Sequence, residues 1–320
     1  MVDKESVKTL IETYYNVNVE EVTLLTQKVY CIKDHQKMYV FKFARGSDEF
    51  LVKQLHAYRA LPKHVLPIYK TVTNAYCIKL DYYFCYLTDY VIQVPMPIEK
   101  RVLNYAQMLQ QLHQNTLVRI EVSQSELTQL YEHHYQQLQK SYESLQKQMR
   151  AYELTEERSP YEWYFMMVYP MLYGMLQRAH DELKKFYDCV QKEPELMVCL
   201  THGDVNVANM VVTEQNAYLL NFEKSIFTFA SIDLSALLES YHHIQGIKSF
   251  LLKYLEKEDE TMRCFFFFKA LTFDVEELTD SLTTHSLTNI AMLNERLAPY
   301  MLALQLYDTL NSSQTAQQSS

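Results

Sequence analysis

The segment from Met197 to Phe222 constrains the fold of this chain more than any other stretch. A short apolar run leads into His202, Gly203 and Asp204, and Asn209 follows five residues after Asp204. Two runs with strand character come next, at 209–213 and 217–222. The pattern predicts strand, loop, strand, strand, with Asp204 and Asn209 on the loop. In phosphoryl-transfer enzymes this spacing is typical of a loop whose Asp accepts the proton of the attacking hydroxyl and whose Asn binds magnesium.

This segment and the residues after it resemble the aminoglycoside phosphotransferase/choline kinase superfamily. The motifs that carry the resemblance are His202-Gly-Asp-x4-Asn209, then Leu220-Asn-Phe-Glu223, then Ser231-Ile-Asp-Leu234. Within the superfamily, the chain is most similar to bacterial spore-coat kinase-like proteins of the CotS and YutH type. The resemblance is most specific over 197–240 and is weaker over roughly 20–300.

The resemblance implies an α+β, bilobal, protein-kinase-like fold with a small antiparallel β lobe and a larger, mainly helical lobe. It also implies ATP and Mg²⁺ as the cofactors of an active member. In that function Asp204 would orient or deprotonate a substrate hydroxyl, and His202 would help to shape the loop. Asn209 would ligate magnesium, and Lys42 would neutralise nucleotide phosphates.

Position 221 departs from the family pattern, which reads Asp-Phe/Trp-Glu with the Asp bound to magnesium; this chain has Asn221. An amide oxygen can ligate magnesium but adds no negative charge. Removing one unit charge about 4 Å from a cation forfeits on the order of 4 kcal/mol at an effective dielectric of 20. That loss corresponds to roughly 10³ in affinity or rate. Glu223 would lie on the same face of a regular strand and is the candidate surrogate metal ligand.

Lys42 lies inside the alternating run Tyr39-Val-Phe-Lys-Phe43. A buried lysine is costly unless it has a charged partner, which favours a role in binding nucleotide phosphates. The alternative is an edge-strand lysine whose ammonium reaches solvent. Glu49 begins the next predicted helix and is the candidate carboxylate partner of Lys42, although it is equally a first-turn carboxylate favoured by the helix dipole.

The loop between the first two predicted strands lacks the glycines that kinases use to cover the nucleotide phosphates. Its residues are Thr26-Gln-Lys28, whereas a glycine-rich loop lets backbone N–H groups approach the phosphates. Together with Asn221, this loop favours impaired catalysis. The run Tyr86–Tyr90 occupies the position of an interlobe hinge, whose backbone would bind an adenine.

The hydrophobic period changes at Pro95 and Pro97 and predicts the domain organisation. Strands predicted at 22–25, 28–33, 38–43, 65–71, 75–80 and 83–88 form a β-rich lobe at 1–90, and 91–97 is the hinge or linker. A helical lobe follows at 98–310 and contains the catalytic segment 197–223. Helices are predicted at 5–16, 50–61, 98–115, 123–152, 160–192, 232–243, 244–256, 258–275 and 284–310. The polar residues 311–320 predict a disordered tail.

Composition excludes several classes of function. A formal net charge of −9 argues against nucleic-acid binding through a basic face. No apolar run approaches the roughly 18 residues that a membrane span needs. The six cysteines are scattered without a Cys-x-x-Cys pair, so we expect reduced thiols and a cytoplasmic protein.

Three hypotheses remain open at this stage. The first is a kinase-fold pseudokinase of the spore coat, with impaired phosphotransfer and a binding or structural role among coat proteins. The second is an active ATP/Mg-dependent kinase that phosphorylates a hydroxyl of a small molecule, with Glu223 as the surrogate ligand. The third is an unrelated helical scaffold. Convergence of Lys42, Asp204 and Asn209 in space would separate the first two from the third.

Overall fold

The structure is a computed structural model that describes residues 3–45, 49–279 and 287–318. Its strands are β1 (Glu21–Thr26), β2 (Val29–Lys33), β3 (Met38–Arg45), β4 (Ile78–Leu80), β5 (Tyr83–Asp89), β6 (Val118–Glu121), β7 (Glu195–Thr201), β8 (Met210–Val212), β9 (Ala217–Leu219) and β10 (Ile226–Thr228). Its helices are α1 (Lys4–Tyr15), α2 (Glu49–Ala60), α3 (Ile98–Asn115), α4 (Gln124–Glu153), α5 (Pro160–Lys192), α6 (Ser231–Tyr241), α7 (Ile247–Leu255), α8 (Glu260–Leu271), α9 (Val275–Thr279) and α10 (Leu287–Gln318). Single 3₁₀ turns occur at Val207–Asn209 and Phe222–Lys224.

The chain divides into two compact units, each made of two stretches of sequence. The first comprises 1–117 and 199–227, and the second comprises 118–198 and 228–320. The first unit contains a small antiparallel sheet, and the second consists mainly of helices. The predicted α+β class, with a small antiparallel sheet and a larger helical part, is therefore confirmed.

The antiparallel sheet of the first unit has the order β1-β2-β3-β5-β4. Lys42 lies on β3, a central strand, where Val29 of β2 and Tyr86 of β5 are its neighbours in register. Side chains alternate along β3, so Phe41 and Phe43 on either side of Lys42 are buried in the core beneath α1. Lys42 thus projects from the opposite face of the sheet, and its strand is not an edge.

Between α2 and β5 the structure has less strand than the sequence predicts. The predicted strand at 65–71 is reduced to two isolated bridges, Val65 with Leu219 and Ile68 with Thr88. Pro67 lies between them and lacks the N–H that a continuous ladder would need. The predicted strand at 75–80 is formed only as β4.

The second unit contains two long helices with capped N-termini, α4 and α5. Ser123 caps α4 and Ser159 caps α5, each in a capping box with the Glu three residues later. The run Phe265-Phe-Phe-Phe268 of α8 is buried and packs in the core of this unit. Strand β6 was not predicted, because four alternating residues are too few for a period; it pairs with Glu195–Val198.

Helix α10 continues to Gln318, so 311–318 are helical where composition predicts a disordered tail. Its predicted start at 284 lies outside the described residues. Among the described helices, none is both long and apolar enough to cross a membrane.

Candidate functional site

The loop at 202–209 is bonded to the segment at 220–225, and His202 makes two of these bonds. Its Nε2 donates to the carbonyl oxygen of Leu220 at 2.8 Å. Its own carbonyl accepts from the Ser225 hydroxyl at 3.0 Å. The ring is fully buried, with its centroid 5.1 Å from that of Phe222. His202 therefore links the start of the loop to the segment at 220–225.

Gly203 allows the two segments to approach each other at the backbone. It has φ of 74°, a left-handed conformation that favours glycine. A Cβ at this position would lie 2.3 Å from the carbonyl oxygen of Lys224. Any other residue would both adopt an unfavourable conformation and displace the chain at Lys224.

Both carboxylate oxygens of Asp204 accept hydrogen bonds. Asn209 Nδ2 donates to Oδ2 and to the Asp204 carbonyl, each at 2.9 Å, and Lys224 Nζ donates to Oδ1 at 2.9 Å. The hydrogen bond from Lys224 is the main cause that holds the pKa of Asp204 below its ordinary value. At neutral pH the carboxylate is ionised and ion-paired with Lys224.

Asn221 lies between Asn209 and Lys42. Its φ of 64° places it in the left-handed region, which Asn tolerates better than most residues. Asn221 Nδ2 donates to Asn209 Oδ1 at 2.6 Å, and Lys42 Nζ donates to Asn221 Oδ1 at 2.5 Å. Hydrogen bonds therefore link Lys42, Asn221, Asn209 and Asp204.

The carboxylate partner of Lys42 in the structure is Glu223. The two side chains form an ion pair, and the Glu223 carboxylate also bonds the hydroxyl of Tyr86. Burial, with a smaller contribution from Glu223, raises the pKa of Tyr86 well above its ordinary value. Glu49, the expected partner, is exposed at the start of α2, since the inward face of that helix begins at Phe50. None of the described contacts joins Glu49 to Lys42.

Solved structures with the same fold are aminoglycoside phosphotransferases. Spectinomycin phosphotransferase APH(9)-Ia in complex with ADP and spectinomycin has a TM-score of 0.57 at 13% identity, covering 96% of this chain and 99% of that chain. Its AMP-bound complex has a TM-score of 0.59 at the same identity and coverage. An aminoglycoside phosphotransferase from Alicyclobacillus acidocaldarius subsp. acidocaldarius DSM 446 has a TM-score of 0.54 at 12% identity, covering 95% and 94%.

The chain has the kinase-like fold of these phosphotransferases. At such identities the likeness concerns the fold alone. Neither a protein-family model nor a curated protein sequence matches the chain. What the site can do chemically depends on the side chains that this chain places there.

A cavity of about 280 Å³ opens beside Lys42 and Asn221. This volume is just below the roughly 300–1,000 Å³ of typical small-molecule sites. Its lining is mostly apolar and includes residues of β2, β3, β5, β8 and β9: Leu25, Val29, Val40, Leu66, Val91, Val211, Leu219 and Leu220, with Tyr86, Thr88, Asp89 and Tyr90. These last four residues belong to the predicted hinge, Tyr86–Tyr90. The N–H of Tyr90 already donates to Met38, so an adenine in this cavity would need another hinge donor.

Gln54 also lines this cavity and was missed by the sequence interpretation. It is 7% exposed, and its Oε1 has no hydrogen-bond partner among the described residues. Gln54 lies four residues after Phe50 and three before Ala57, both buried on α2. The available signal was a polar residue at a position where the helical period calls for an apolar one.

Lys224 was missed as well, although it directly follows the Leu-Asn-Phe-Glu motif. In a regular strand it would point away from its neighbour Glu223, towards the side opposite to the site. The structure instead forms a 3₁₀ turn at Phe222–Lys224. This turn directs Glu223 to Lys42 and Lys224 to Asp204, so two adjacent residues both contribute to the site.

The residues predicted to hold magnesium do not fit a resident Mg²⁺ ion. Magnesium takes oxygen ligands in a near-octahedral arrangement and favours carboxylates. The oxygens of Asn209 and Asn221 accept hydrogen bonds from Asn221 and Lys42, and the Glu223 carboxylate is paired with the Lys42 ammonium. In the described part of the chain, His, Cys, Asp and Glu form no group of three or more that could hold a metal.

Proposed function

We propose that this chain is a kinase-fold protein that binds a nucleotide, has impaired phosphoryl transfer and acts through binding or structural contacts. One observation carries the proposal. The polar side chains at the positions of the phosphotransfer motif bond to one another, ending in an ion pair between Asp204 and Lys224. These side chains stand at the positions of a kinase motif, but each of them is already bonded to another member of the set.

Nucleotide binding is supported by the cavity and by Lys42. The cavity offers apolar walls for a planar base, while Lys42 and Asn221 supply polar groups at its edge. Lys42 is on a central strand and is enclosed enough for a strong charge-assisted hydrogen bond to a phosphate. Complexes of the spectinomycin phosphotransferase with ADP and AMP are consistent with a nucleotide as the ligand of this fold.

Impaired transfer is supported by the state of Asp204 and by Asn221. A general base works best when its pKa is near the operating pH, whereas the Lys224 ammonium lowers the pKa of Asp204. Phosphoryl transfer also requires cations that neutralise the developing charge on the phosphates. Asn221 contributes no charge to attract such a cation.

An active kinase of a small hydroxylated substrate is the second candidate. It is favoured by the Asp204–Asn209 contact at 2.9 Å, which keeps the loop in a form that could orient a hydroxyl. In that case Glu223 would have to leave Lys42 and serve as the surrogate metal ligand.

Calorimetric ATP titrations, followed by a phosphate-release assay with and without magnesium, separate the two candidates. We expect ATP binding and no magnesium-dependent turnover above background in the wild type. Turnover that disappears in a folded Asp204→Ala variant would establish the active kinase instead. Absence of any ATP binding would reject nucleotide binding altogether and leave a scaffold that keeps only the fold.

The site of action that we propose is the spore coat, on the strength of the sequence resemblance over 197–240. Coat proteins would then be the partners of the binding or structural role. A tagged chain expressed in its source organism should co-fractionate with coat material. Recovery only from the soluble fraction would count against this location and leave the nucleotide-binding proposal untouched.

A further inference from the structure

We propose that this site binds the phosphate groups of a nucleotide without a divalent cation, with Lys42 and Lys224 as its built-in cations. The inference rests on the proposed nucleotide binding and deepens it by naming the form of the ligand. The ligand would be a metal-free nucleoside polyphosphate.

The charge of the site supports this inference. Its four charged side chains form two ion pairs, Lys42 with Glu223 and Lys224 with Asp204, so their charges cancel. A site with a carboxylate at 221 and a neutral residue at 224 would be more negative by two unit charges. Two unit charges are what one magnesium ion supplies. Asn221 and Lys224 together make that ion unnecessary for the charge balance.

The position of Lys224 is determined by the backbone. Because Gly203 has no Cβ, the carbonyl of Lys224 approaches it closely. The 3₁₀ turn at Phe222–Lys224 then carries the Lys224 side chain to Asp204. Phe222 is fully buried and anchors the turn. The close approach at Gly203 and the buried Phe222 therefore both fix the backbone of Lys224 beside the site.

Both lysines can change partners or add one when a phosphate arrives. The side chains of Lys224 and Asp204 are 68% and 38% exposed, and ion pairs so exposed are weak and easily displaced. The Lys42 side chain is only 18% exposed. An ammonium has three N–H donors, so Lys42 can keep Glu223 and still donate to a phosphate oxygen.

The side-chain amides of the site offer a metal few free oxygen atoms. The Oδ1 atoms of Asn209 and Asn221 both accept hydrogen bonds from within the site, at 2.6 and 2.5 Å. A magnesium ion would have to break these hydrogen bonds, and neither Asn209 nor Asn221 would offer it a carboxylate ligand. A phosphate, in contrast, needs only donors, and the two lysines supply them.

ATP binding to the full chain, measured by calorimetry in EDTA and in magnesium, tests the inference. We expect the two Kd values to agree within about twofold, because the site itself supplies the positive charge. Lys224→Met should weaken binding in EDTA on the order of tenfold, as expected for the loss of one charge-assisted hydrogen bond. Lys224→Arg keeps the charge and should retain most of the affinity.

Lys8→Met is the matched control, since it removes an exposed lysine of α1 that pairs with Glu12. It should bind ATP like the wild type in both buffers. Circular dichroism of each variant confirms that the fold persists.

Each remaining outcome decides a different point. ATP binding that requires magnesium overturns the inference and leaves the proposed nucleotide binding intact. Metal-independent binding that Lys224→Met does not weaken removes Lys224 from the site. Absence of ATP binding in both buffers rejects the proposed function and this inference with it.

Discussion

The loop at 202–209 and the turn at 221–224 belong to one hydrogen-bonded assembly but contribute side chains of different charge. The loop keeps Asp204 and Asn209 in contact and is fixed by the buried His202. The turn contacts this loop with a neutral residue, Asn221, and a positive one, Lys224.

This difference indicates that the hydrogen-bonded geometry does not require a negative charge at 221. The bonds that position the loop come from backbone groups, an imidazole and an amide, and they do not depend on a carboxylate at 221. Asn is nearly isosteric with Asp and also tolerates the left-handed conformation found there. The local fold at the turn is therefore compatible with a neutral residue at 221.

Gly203→Ala should break the connection between loop and turn and has the largest expected effect. The added Cβ would lie 2.3 Å from the Lys224 carbonyl oxygen, at a φ of 74°. The left-handed conformation costs about 1–2 kcal/mol, and overpacking costs about 1–3 kcal/mol. We expect the free energy of unfolding to fall by about 2–5 kcal/mol, as measured by urea denaturation.

Gly174→Ala is the control for this substitution. Gly174 lies inside α5, and a Cβ there would meet no atom within 4 Å. The alanine should leave stability unchanged or raise it by up to about 1 kcal/mol. Equal effects at the two glycines would show that loop and turn are not held together at Gly203.

Asn221→Asp should make the turn resemble the family pattern and introduce magnesium-dependent binding of ATP. We expect a gain of about 10- to 100-fold, short of the roughly 10³-fold upper limit for one full charge, because Glu223 already lies nearby. The gain should vanish in EDTA, where a new carboxylate only repels phosphates. Calorimetry in both buffers measures it.

Glu223→Gln in the wild type is the companion measurement. If Glu223 serves as a surrogate metal ligand, this variant should lose magnesium-dependent binding. If Asn221→Asp brings no gain and Glu223→Gln is silent, the site has no residual metal-nucleotide function.

Gln54→Met tests whether the cavity beside the turn is maintained for a ligand. The buried Oε1 of Gln54 has no partner among the described residues, and such a group costs about 1–3 kcal/mol. Methionine of similar length should raise the stability of the ligand-free chain by about 1 kcal/mol. If a ligand donates to Gln54, ATP affinity should fall several-fold at the same time. Higher stability with unchanged affinity would assign Gln54 no part in ATP binding.

The smallest expected effect concerns the pH dependence of the Asp204–Lys224 pair. The folded pKa of Asp204 is lowered, so its contribution to stability is present above the unfolded pKa of about 3.9. That contribution is lost as the pH falls through the folded pKa. Because the pair is largely exposed, it contributes only about 0.2–1 kcal/mol.

Lys224→Met should raise the pKa of Asp204 towards its ordinary value, which an NMR titration of the carboxyl carbon measures. The stability difference from the wild type should be present at neutral pH and disappear below the folded pKa. An unchanged Asp204 pKa in this variant would mean that Lys224 does not pair with Asp204 in solution.

Local features of the sequence were sufficient to predict most elements of this fold. Capping residues mark the starts of α4 and α5, and alternation marks β3, because these signals depend on neighbours within a few residues. The spacing of Asp204 and Asn209 predicted that both residues lie on one loop, and the structure shows that their side chains are in contact there. Strand 65–71 was overestimated because Pro67 interrupts a run that otherwise has strand character.

The sequence by itself determined which polar groups the loop and turn carry, and therefore the charge of the site. Only the tertiary structure decided how they pair. The sequence suggested Glu49 as the partner of Lys42 and Glu223 as a metal ligand. In the structure Glu49 is exposed on α2, and Glu223 pairs with Lys42. The pairing of Lys224 with Asp204 required the 3₁₀ turn and the backbone approach at Gly203. These contacts join segments distant in sequence, and local residue preferences hold no information on which distant segments meet.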